Sequence, residues 1–464
     1  MEQRQGRATR FDFSKLLFYT VVVAGLTGVP FGIGLHAGAA KTPLYRLVTR
    51  ITTPVVDSLR IVAYEAPTIT GTRPTHFLQL SRQPGAGVTV NQSTTPQDDL
   101  IFLAGFFGDS NELRLIRRNG DIVRRWPVRY YDYFTDTTHF PQGFAPATNW
   151  NIDLHGALAL PDGSVVFNFE WGGLVKLDRC GQVVWTLRRQ THHSVERAEA
   201  GGLWVLGRRL VTSGSAFPPF EPPYWEDTIL RISDAGEVLS ETSAVGLLYE
   251  NELDALLTAT GQPFHAGMTW SREIVHVNKI EELTSELSPA FPMFHAGDLA
   301  LSFRDQNLVV VFDPATRRIK WWRMGPWVRQ HDPEFGPQGT IVVFNNNVHH
   351  TAFGEGFADF KVPLSAPRVS NILEVDPASG TSRIVYGGRP GEELLSVIKG
   401  KVELTPDRGL LITEAQAGRI REVDAQGRVV WEYLNRYDAD DVAEIGEARR
   451  YSAGYFHVKD WSCR

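Results

Sequence analysis

The stretch RQHDPEFGPQGTIVVFNNN, residues 329–347, combines a histidine, a turn and a short apolar strand. His331 lies eight positions before a glycine. A glycine also occurs eight positions after His155, His193 and Lys401. Such a recurrence indicates an internal repeat, which delivers three histidines and one lysine to equivalent structural positions. The same repeat therefore decides the fold and selects candidate site residues.

Two half-motifs alternate from about residue 72 to about residue 434, and each occurs six times. The first half is a turn followed by a strand, as in PDGSVVF at 161 and QGTIVVF at 338. The second half is a hairpin whose second strand often carries tryptophan, as in GLVKLDRCGQVVW at 173. Glycine in these turns adopts positive φ without a steric penalty. Units of about four strands, which cannot bury both faces alone, predict an all-β fold, a six-bladed β-propeller around a central channel.

The composition argues against several classes of function. A net charge of -6, without basic clustering after the N-terminal region, argues against nucleic acid as a partner. The chain has neither a GxxxxGK(S/T) phosphate loop nor a GxGxxG fingerprint, so we expect no nucleotide donor, no nicotinamide and no other cofactor. The two cysteines, Cys180 and Cys463, are too few for a zinc cluster; unpaired thiols are favoured, and a single disulfide stays open.

The N-terminal region carries a candidate membrane segment. From Leu16 to Ala40 there is no Asp, Glu, Lys or Arg, and the apolar run is as long as the roughly 20 residues that a membrane helix needs. Basic residues before it favour an N-terminus in the cytoplasm, which puts the body on the extracytoplasmic (periplasmic) side. The small residues AGAA at 37–40 leave a cleaved signal peptide open, although an uncleaved transmembrane helix is favoured.

The remaining segments are predicted from the same signals. Extra length in the fourth unit predicts helical insertions in ENELDALLTAT at 250 and VNKIEELTSELSPAF at 277, and the tail contains a short helical stretch. The predicted segments are a cytoplasmic N-terminus (1–15), a transmembrane anchor or signal segment (16–38), a linker or collar (39–95), the propeller (96–434) and a C-terminal tail that closes on it (435–464).

The innermost strand of each propeller blade lines the channel, so residues at one offset meet at one height. The residues expected to converge there are His155, His193, His276, Arg304, His331 and Lys401. Imidazole and guanidinium groups without a nearby set of acidic ligands can hold a metal or grip a tetrahedral oxyanion. Arg304 favours the anion, because its fixed positive charge opposes a cation, and no metal is expected. The alternative is a structural role, in which the histidines only bond a neighbouring blade.

Four segments carry a family resemblance, in the order HHSVE at 192, HVN at 276, LALSFRDQNLVVVFDP at 299 and WVRQHDPEF at 327. Together they resemble the bacterial arylsulfate sulfotransferases over most of the propeller body. The resemblance implies a propeller with its site at the mouth of the channel. It also implies a ping-pong reaction that moves a sulfuryl group from a phenolic sulfate ester to a phenolic acceptor through a sulfohistidine.

The same resemblance implies roles for individual residues. His331 would be the nucleophile that attacks sulfur. His193, His276 and Arg304 would hold the sulfuryl oxygens and assist the phenolic oxygen. Asn278, two positions after His276, would orient or bond the substrate. Preorganised donors and a general acid at these places would stabilise the charge that develops on the sulfuryl oxygens and the leaving phenolate.

Further residues are assigned with alternatives. His155 and Lys401 are expected to bind substrate, and His192 and His155 are alternatives to His193. Four tryptophans are expected either to wall an aromatic substrate or to pack the blades, and these are Trp270, Trp321, Trp322 and Trp327. The family carries aspartate in an F-D-N pattern after its nucleophile, whereas this chain has Asn345 in FNNN.

The leading prediction is a membrane-anchored sulfotransferase with small phenolic substrates, and a homo-oligomer is left open. A non-catalytic membrane-anchored propeller that binds partner proteins is the first alternative, because fold does not determine function. A quinone-dependent dehydrogenase is the second alternative, suggested by tryptophan-bearing repeats such as DRCGQVVW. Six predicted blades and the lack of an adjacent cysteine pair count against it.

Overall fold

The computed structural model describes residues 65–92, 96–141, 143–217, 220–258, 273–347 and 370–463, together with isolated positions between 19 and 36. The chain divides into two compact units, 1–64 with 355–358 and 65–354 with 359–464. The isolated positions are helical; most of the predicted anchor (16–38) and Trp270 lie outside the described residues. Within the described part of the chain, no helix has the length and apolar character that a membrane span requires.

Six antiparallel sheets of four or five strands form the second unit. Blade 1 contains β27 (Ile445–Tyr451), β3 (Leu100–Phe107), β4 (Ser110–Arg117) and β5 (Ile122–Val128). Blade 2 contains β6 (Leu154–Ala159), β7 (Val165–Phe169), β8 (Gly173–Leu177) and β9 (Val183–Leu187). Blade 3 contains β10 (Gln190–Arg197), β11 (Leu203–Val211), β12 (Tyr224–Ile232) and β13 (Val238–Ser243).

The other three blades repeat this order of strands. Blade 4 contains β14 (Val277–Glu282), β15 (Leu299–Phe303), β16 (Leu308–Asp313) and β17 (Arg318–Met324). Blade 5 contains β18 (His331–Phe335), β19 (Ile341–Asn345), β20 (Asn371–Val375) and β21 (Ser382–Tyr386). Blade 6 contains β22 (Lys401–Leu404), β23 (Leu410–Glu414), β24 (Arg419–Val423), β25 (Val429–Leu434) and a fifth strand, β2 (Gly87–Asn91). A small separate sheet pairs β1 (Leu78–Leu80) with β26 (Asp441–Ala443).

Short helical segments connect some of these strands. Among the described connections between strands, two are α-helical, Tyr130–Tyr133 and Ala244–Glu250, and residues 65–69 before β1 are helical as well. The 3₁₀ turns are Thr75–Phe77, Asp254–Thr258, Ser288–Ala290 and Ala415–Ala417. The Ala244–Glu250 helix begins at Ser243, whose hydroxyl accepts a hydrogen bond from the backbone N–H of Gly246 at 2.8 Å. The insertion predicted in ENELDALLTAT is therefore helical in part, over Asp254–Thr258.

The first strand of each blade lies innermost, because it packs against the first strands of both neighbouring blades. Inner strands such as β10 are buried along most of their length, whereas outer strands such as β13 are largely exposed. The first predicted half-motif supplies the second strand of each blade, and the second half-motif supplies the outer hairpin. The structure thereby confirms the predicted six-bladed β-propeller.

The apolar core lies between blades, where six clusters of buried side chains join adjacent sheets. In one cluster, Val309 and Val311 of β16 pack with Ile341 and Val343 of β19. Full burial of such a side chain stabilises the fold by roughly 1.5–3 kcal/mol. Each sheet buries one face on each neighbour, so the blades depend on the closed ring.

Both ends of the propeller unit join its sheets. The predicted linker (39–95) contains β1 and β2, and β2 pairs with β25 at the edge of blade 6. The predicted tail (435–464) contains β26 and β27 where a short helix was expected. β27 pairs with β3 and is the inner strand of blade 1, so the end of the chain closes the ring.

The segment VNKIEELTSELSPAF was predicted to be helical, and this prediction is wrong over β14. Extra length in the fourth unit suggested a helical insertion, but the segment begins with an inner strand, and its Lys279 is buried in the channel. Its ammonium lies 2.9 Å from a carboxylate oxygen of Glu196 and 2.6 Å from one of Glu334. Ion pairs across the channel thus allow a strand with charged side chains to lie innermost.

The two cysteines are joined, contrary to the favoured expectation of unpaired thiols. Cys180 lies in the turn between β8 and β9, and Cys463 lies in the tail that follows β27. Their Cα atoms are 5.6 Å apart, within the range that a disulfide spans. Arg179 holds the tail beside this turn, since its guanidinium donates to the carbonyl oxygens of Asp460 and Ser462 at 2.8 and 2.9 Å.

Candidate active site

A cavity of about 580 Å³ lies at the end of the channel where β6, β14 and β18 begin. His155, His193, His276, Arg304 and His331 all line it, so the structure brings five predicted site residues into one space. The ring centroid of His193 lies 3.9 Å from that of His155, 4.7 Å from that of His276 and 6.4 Å from that of His331. Four blades thus contribute to a single cluster.

Bulges in the inner strands aim these histidines at the channel axis. The strand register shifts at His155 in β6, at His193 in β10 and directly after His331 in β18. His193 has a φ of 52°, a left-handed conformation that costs a non-glycine residue about 1–2 kcal/mol. Its carbonyl oxygen accepts a hydrogen bond from Asn168 Nδ2 at 2.8 Å. A Cβ on Gly156 would lie 1.9 Å from that oxygen, so only glycine permits this approach of the two blades.

Two predicted substrate-binding residues do not reach this cavity. β22 pairs with β23 in continuous register from Lys401 onward, so the bulge of the other blades is not repeated there. Lys401 Nζ lies 2.7 Å from Glu447 Oε2, and Asn278 Nδ2 donates to the carbonyl oxygen of Gln330 at 2.8 Å. Both residues line an adjoining space of only about 10 Å³. Lys399 lines the main cavity in the place expected for Lys401.

His331 has one ring nitrogen committed to the protein. Nδ1 lies 2.7 Å from Asn346 Oδ1 and 3.2 Å from the carbonyl oxygen of Arg329. The Asn346 amide has a fixed orientation, because its Nδ2 donates to the carbonyl oxygens of Ser396 and Lys399 at 2.9 and 2.7 Å. Both neighbours of Nδ1 are acceptors, so Nδ1 carries the hydrogen and Nε2 of neutral His331 carries the lone pair.

Burial keeps four imidazoles at the cavity neutral, those of His192, His193, His276 and His331. It is the main cause that holds the pKa values of His193, His276 and His331 well below the ordinary range. The charge of Arg304 lowers the pKa values of His276 and His331 further. Burial also lowers the pKa of His192 to about 3. A neutral imidazole is ready to act as a nucleophile without first losing a proton.

Asn345, the departure from the family pattern, has a structural contact. Its Oδ1 accepts hydrogen bonds from the backbone N–H groups of Val328 and Asn347 at 2.8 and 3.1 Å. These bonds fix the loop that leads to His331. The side chain that contacts the imidazole is the next residue, Asn346, which the sequence analysis missed.

A hydrogen-bonded row of imidazoles forms one wall of the cavity. His276 Nδ1 lies 3.0 Å from Glu273 Oε2, and His276 Nε2 lies 3.1 Å from His193 Nε2. His193 Nδ1 lies 2.8 Å from His192 Nδ1, and His192 Nε2 lies 3.1 Å from the carbonyl oxygen of Gly207. Both ring nitrogens of His193 are therefore engaged. His192, an alternative binding residue in the sequence analysis, lies behind His193 in this row.

Carboxylates line the same cavity, which corrects the expectation of imidazoles without acidic neighbours. Glu170 Oε2 lies 3.1 Å from His155 Nδ1. Although burial opposes it, the charge of His155 lowers the pKa of Glu170 to about 2. Asp153 lies 2.6 Å from His76 Nε2 and 2.5 Å from Lys399 Nζ. Burial opposes protonation of His76 as well, but the charge of Asp153 raises its pKa to about 10.

The candidate metal ligands nearest to one another are His155, Glu170 and His193, whose ligand atoms lie within 4.8 Å. Both ring nitrogens of His193 are already hydrogen-bonded, so a metal would have to break one of these bonds. Arg304 and Arg208 line the same cavity and oppose a cation. The donor set therefore fits an anion better than a metal, and we place no metal here.

Arg304 is positioned by the backbone of blade 4. Its N–H donates to the carbonyl oxygen of His276 at 2.9 Å, which holds the two residues side by side. Its Nε donates to Asp305 Oδ1 at 3.0 Å, and Arg329 Nη1 lies 3.6 Å from the same oxygen. A guanidinium has five N–H donors, so this contact leaves a fork of donors for an oxyanion.

Aromatic side chains wall another part of the cavity, namely Phe140, Phe144, Trp171 and Trp225. The Arg208 guanidinium lies between the two indole rings, 4.0 Å from each ring centroid. The three predicted tryptophans that the structure describes lie elsewhere: Trp327 is buried between blades 4 and 5, and Trp321 and Trp322 belong to the outer strand β17. Blade packing, the other role expected for them, fits Trp327 and Trp321 but not Trp322, which is 44% exposed. The aromatic residues of the cavity were not predicted.

The fold and the site together define a β-propeller that gathers imidazole and guanidinium groups at one end of its channel. The chain belongs to the arylsulfotransferase (ASST) family, whose sequence profile matches residues 156–436. This match covers four inner strands, most of a fifth (β6), and every histidine of the cluster except His155. It confirms the resemblance inferred from the four segments.

Comparison with curated proteins finds no match. Similar solved structures include a protein of unknown function from Bacteroides caccae, with 14% identity, a TM-score of 0.46, and coverage of 76% of this chain and 98% of that chain. Another is a catalytically inactive virginiamycin B lyase from Staphylococcus aureus with quinupristin, with 10% identity, a TM-score of 0.37, and coverage of 77% and 91%. Both are too distant to bear on function.

Proposed function

We propose that the protein transfers a sulfuryl group from a phenolic sulfate ester to a phenolic acceptor, in two steps joined by a sulfohistidine. His331 is the nucleophile in this proposal. In the first step its Nε2 forms a bond to sulfur while the bond from sulfur to the phenolic oxygen breaks. In the second step an acceptor phenol takes the sulfuryl group, and the electron pair returns to Nε2.

The tautomer of His331 is the observation that carries this proposal. Asn346 Oδ1 and the Arg329 carbonyl oxygen both accept at Nδ1, so the lone pair lies on Nε2. A lone pair fixed on one nitrogen of a neutral, buried imidazole is what attack on sulfur requires. Loss of this tautomer would place a hydrogen between the nucleophile and its target.

The surrounding charges suit a sulfate ester. Arg304 offers guanidinium donors to the sulfuryl oxygens, while Lys399 and protonated His76 offset the charge of Asp153 on the same cavity. Fixed donors stabilise charge that develops on oxygens in the transition state, because they need no reorganisation. The rings of Phe140 and Trp225 provide flat apolar surface for the aromatic part of the substrate.

The test is the intact mass of the purified protein after exposure to an aryl sulfate without an acceptor. We expect one added sulfuryl group in the wild-type protein, on the peptide that contains His331, and none in His331→Ala. His457→Ala is the matched control, because His457 is exposed on the tail. An unmodified wild-type protein that binds partner proteins would instead support the non-catalytic alternative, and full activity of His331→Ala would contradict the assigned nucleophile.

We also propose that the segment 16–38 anchors the protein in a membrane and that the propeller lies on the extracytoplasmic side. The Cys180–Cys463 disulfide supports this location, because disulfides persist in oxidising compartments. Alkylation of intact and lysed cells with a membrane-impermeant thiol reagent, after reduction, tests it. Labelling of both cysteines in intact spheroplasts is expected, and labelling only after lysis would contradict the proposal.

A further inference from the structure

The row of imidazoles ends at one side in a group that can only accept a hydrogen bond. The Gly207 carbonyl oxygen faces His192 Nε2 at 3.1 Å, so this nitrogen carries a hydrogen. His192 is 1% exposed, and as a neutral ring it then accepts at Nδ1. His193 Nδ1, which lies 2.8 Å away, must therefore be the donor of that hydrogen bond.

The hydrogen-bond roles of His193 and His276 follow from that of His192. A neutral His193 with hydrogen on Nδ1 accepts at Nε2, so His276 Nε2, 3.1 Å away, must donate. Neutral His276 then has its lone pair on Nδ1. That nitrogen lies 3.0 Å from Glu273 Oε2, and a lone pair facing a carboxylate oxygen needs one additional proton between them.

The tautomers of His192, His193 and His276 therefore fix the number of protons that the Glu273–His276 pair carries. Either Glu273 is a carboxylic acid that donates to neutral His276, or Glu273 is ionised beside a doubly protonated His276. Both descriptions contain the same proton in the same hydrogen bond. The Glu273–His276 pair thus holds one exchangeable proton at the wall of the cavity.

We propose that Glu273 is the positioning residue that stores the proton which His276 delivers to the departing phenolic oxygen, a role that rests on the proposed function. As the bond from sulfur to the phenolic oxygen breaks, that oxygen takes the hydrogen of His276 Nε2, which gives up its hydrogen bond to His193 Nε2. His276 Nδ1 takes the proton of Glu273 Oε2, which becomes a carboxylate. When an acceptor phenol attacks the sulfohistidine, its proton returns through His276 to Glu273.

The groups around Glu273 support both of its states. Arg208 Nη1 lies 4.0 Å from Glu273 Oε1 and can neutralise the carboxylate after transfer. Burial is the main cause that raises the pKa of Glu273, while the charges of Arg208 and Arg304 lower it and that of Glu170 raises it. Asp227, behind His192 at 3.7 Å, has a pKa raised well above its ordinary value by burial and then by Glu273.

The key variant is Glu273→Gln, since its amide can still donate to His276 Nδ1 but cannot release a proton. Transfer should be measured with a series of aryl sulfates whose phenols differ in acidity. Glu250→Gln is the matched control, because Glu250 lies on the outer surface beside Arg317. For phenyl sulfate we expect kcat to fall roughly 100-fold in Glu273→Gln, as is typical when a general acid is removed.

For 4-nitrophenyl sulfate, whose phenol is a much stronger acid, we expect kcat to change by less than about threefold, because its phenolate leaves without protonation. Glu273→Asp retains an ionisable carboxyl and should recover part of the activity on phenyl sulfate. An equal loss of kcat on all donors would show a merely structural role and overturn the proposal. Glu250→Gln should match the wild-type protein on every donor.

An infrared measurement separates this proposal from the proposed function. The spectrum of the wild-type protein minus that of Glu273→Gln should contain the carbonyl stretch of a protonated carboxylic acid, which needs no turnover. Its absence, together with a carboxylate band in that difference and no imidazolium at His276 in nitrogen-labelled spectra, would overturn the stored proton. A wild-type protein that carries the band but transfers no sulfuryl group would refute the proposed function instead.

Discussion

The Nδ1 atom of His331 lies 2.7 Å from Oδ1 of Asn346, and the amide of Asn346 is itself tied to two backbone carbonyl oxygens. The orientation of the proposed nucleophile is thus set by a side chain that cannot turn without losing two hydrogen bonds. Those carbonyls belong to Ser396 and Lys399, in the segment that leads into blade 6. One blade carries the imidazole, and the connection to the next blade fixes its tautomer.

Replacement of Asn346 by alanine should impair catalysis more than binding. The imidazole loses the nearer of its two Nδ1 partners and keeps only the Arg329 carbonyl oxygen at 3.2 Å, so a fraction of the rings presents a hydrogen at Nε2. We expect kcat to fall roughly 10- to 100-fold, as for other residues that orient a functional histidine, with a smaller change in KM. Steady-state kinetics with one aryl sulfate measure both quantities; a rise in KM at unchanged kcat would contradict the assigned role.

Asn345→Asp introduces the aspartate of the family pattern and should be tolerated. The new carboxylate can still accept from the backbone N–H groups of Val328 and Asn347. The amide of Asn371, whose Oδ1 now accepts from Asn345 Nδ2 at 3.1 Å, can turn to donate instead. We expect kcat within about threefold of wild type, since the variant leaves the bond to His331 intact. A loss as large as that of Asn346→Ala would show that Asn345 acts directly in the site.

Arg304→Gln should weaken transition-state stabilisation without unfolding the protein. The variant keeps the backbone hydrogen bond to His276 but removes the charge and the guanidinium fork. We expect kcat/KM for an aryl sulfate to fall roughly 100-fold, the usual cost of losing a preorganised donor. Arg317→Gln, on the surface beside Glu250, is the control. Equal values of kcat/KM in the two variants would remove Arg304 from the proposed site.

Glu403→Gln should stabilise the protein at alkaline pH. Burial is the main cause that raises the pKa of Glu403 to about 8, against about 4.3 in an unfolded chain. As pH rises from about 4.3 to about 8, the unfolded chain loses this proton first, so the folded state loses stability over that range. Glutamine cannot ionise and can still accept the hydrogen bond from the Arg450 N–H.

At pH 8 we therefore expect the free energy of unfolding of Glu403→Gln to exceed that of the wild-type protein by roughly 1–3 kcal/mol. At pH 4 the two proteins should unfold at nearly the same denaturant concentration, because the wild-type carboxyl is protonated in both states. Urea titrations at the two pH values provide the comparison. An equal increase in the free energy of unfolding at both pH values would show that Glu403→Gln acts through packing rather than through the ionisation of Glu403.

Cys463→Ser should destabilise the propeller by roughly 2–5 kcal/mol, the usual cost of removing a native disulfide. The bridge joins residues 283 positions apart, so it restricts the unfolded chain strongly. Because the bridge lies at the turn between β8 and β9, away from the residues that line the cavity, activity at low temperature should persist. Urea unfolding with and without a reductant checks this: the reductant should shift the midpoint of the wild-type protein and leave that of Cys463→Ser unchanged.

The blades were predictable because their signals are local. Turn residues such as Gly163 and Gly339 recur at fixed distances from short apolar runs, and their φ values of 82° and 76° are those that favour glycine. The histidines were found because the repeat places them at the starts of inner strands. The tail was mistaken for a partly helical segment because its strand, β27, pairs with a strand more than 300 residues earlier, and no local signal records such a pairing.

Two other site residues, Glu170 and Asn346, were not predicted, because each comes directly after the second strand of its blade. Glu170 directly follows β7 beside the His155 strand, and Asn346 directly follows β19 beside the His331 strand. Arg304 occupies the corresponding place after β15. Antiparallel pairing brings the end of a second strand to the start of its inner strand. A search at that place in each repeat would have found Glu170 and Asn346. The position of Lys401 could not be found in this way, because it depends on the backbone geometry of β22, which lacks the bulge.

Closure of blade 1 by β27 affects how the protein folds during its synthesis. During synthesis the edge of β3 stays unpaired until the chain has emerged as far as Tyr451, because its inner partner comes last. Unpaired strand edges recruit other chains, so the nascent copy is the form most exposed to aggregation. A premature stop anywhere before Ile445 would leave an open ring instead of a slightly shorter one. The ring that encloses the cavity closes only after residues 445–451 have been synthesised.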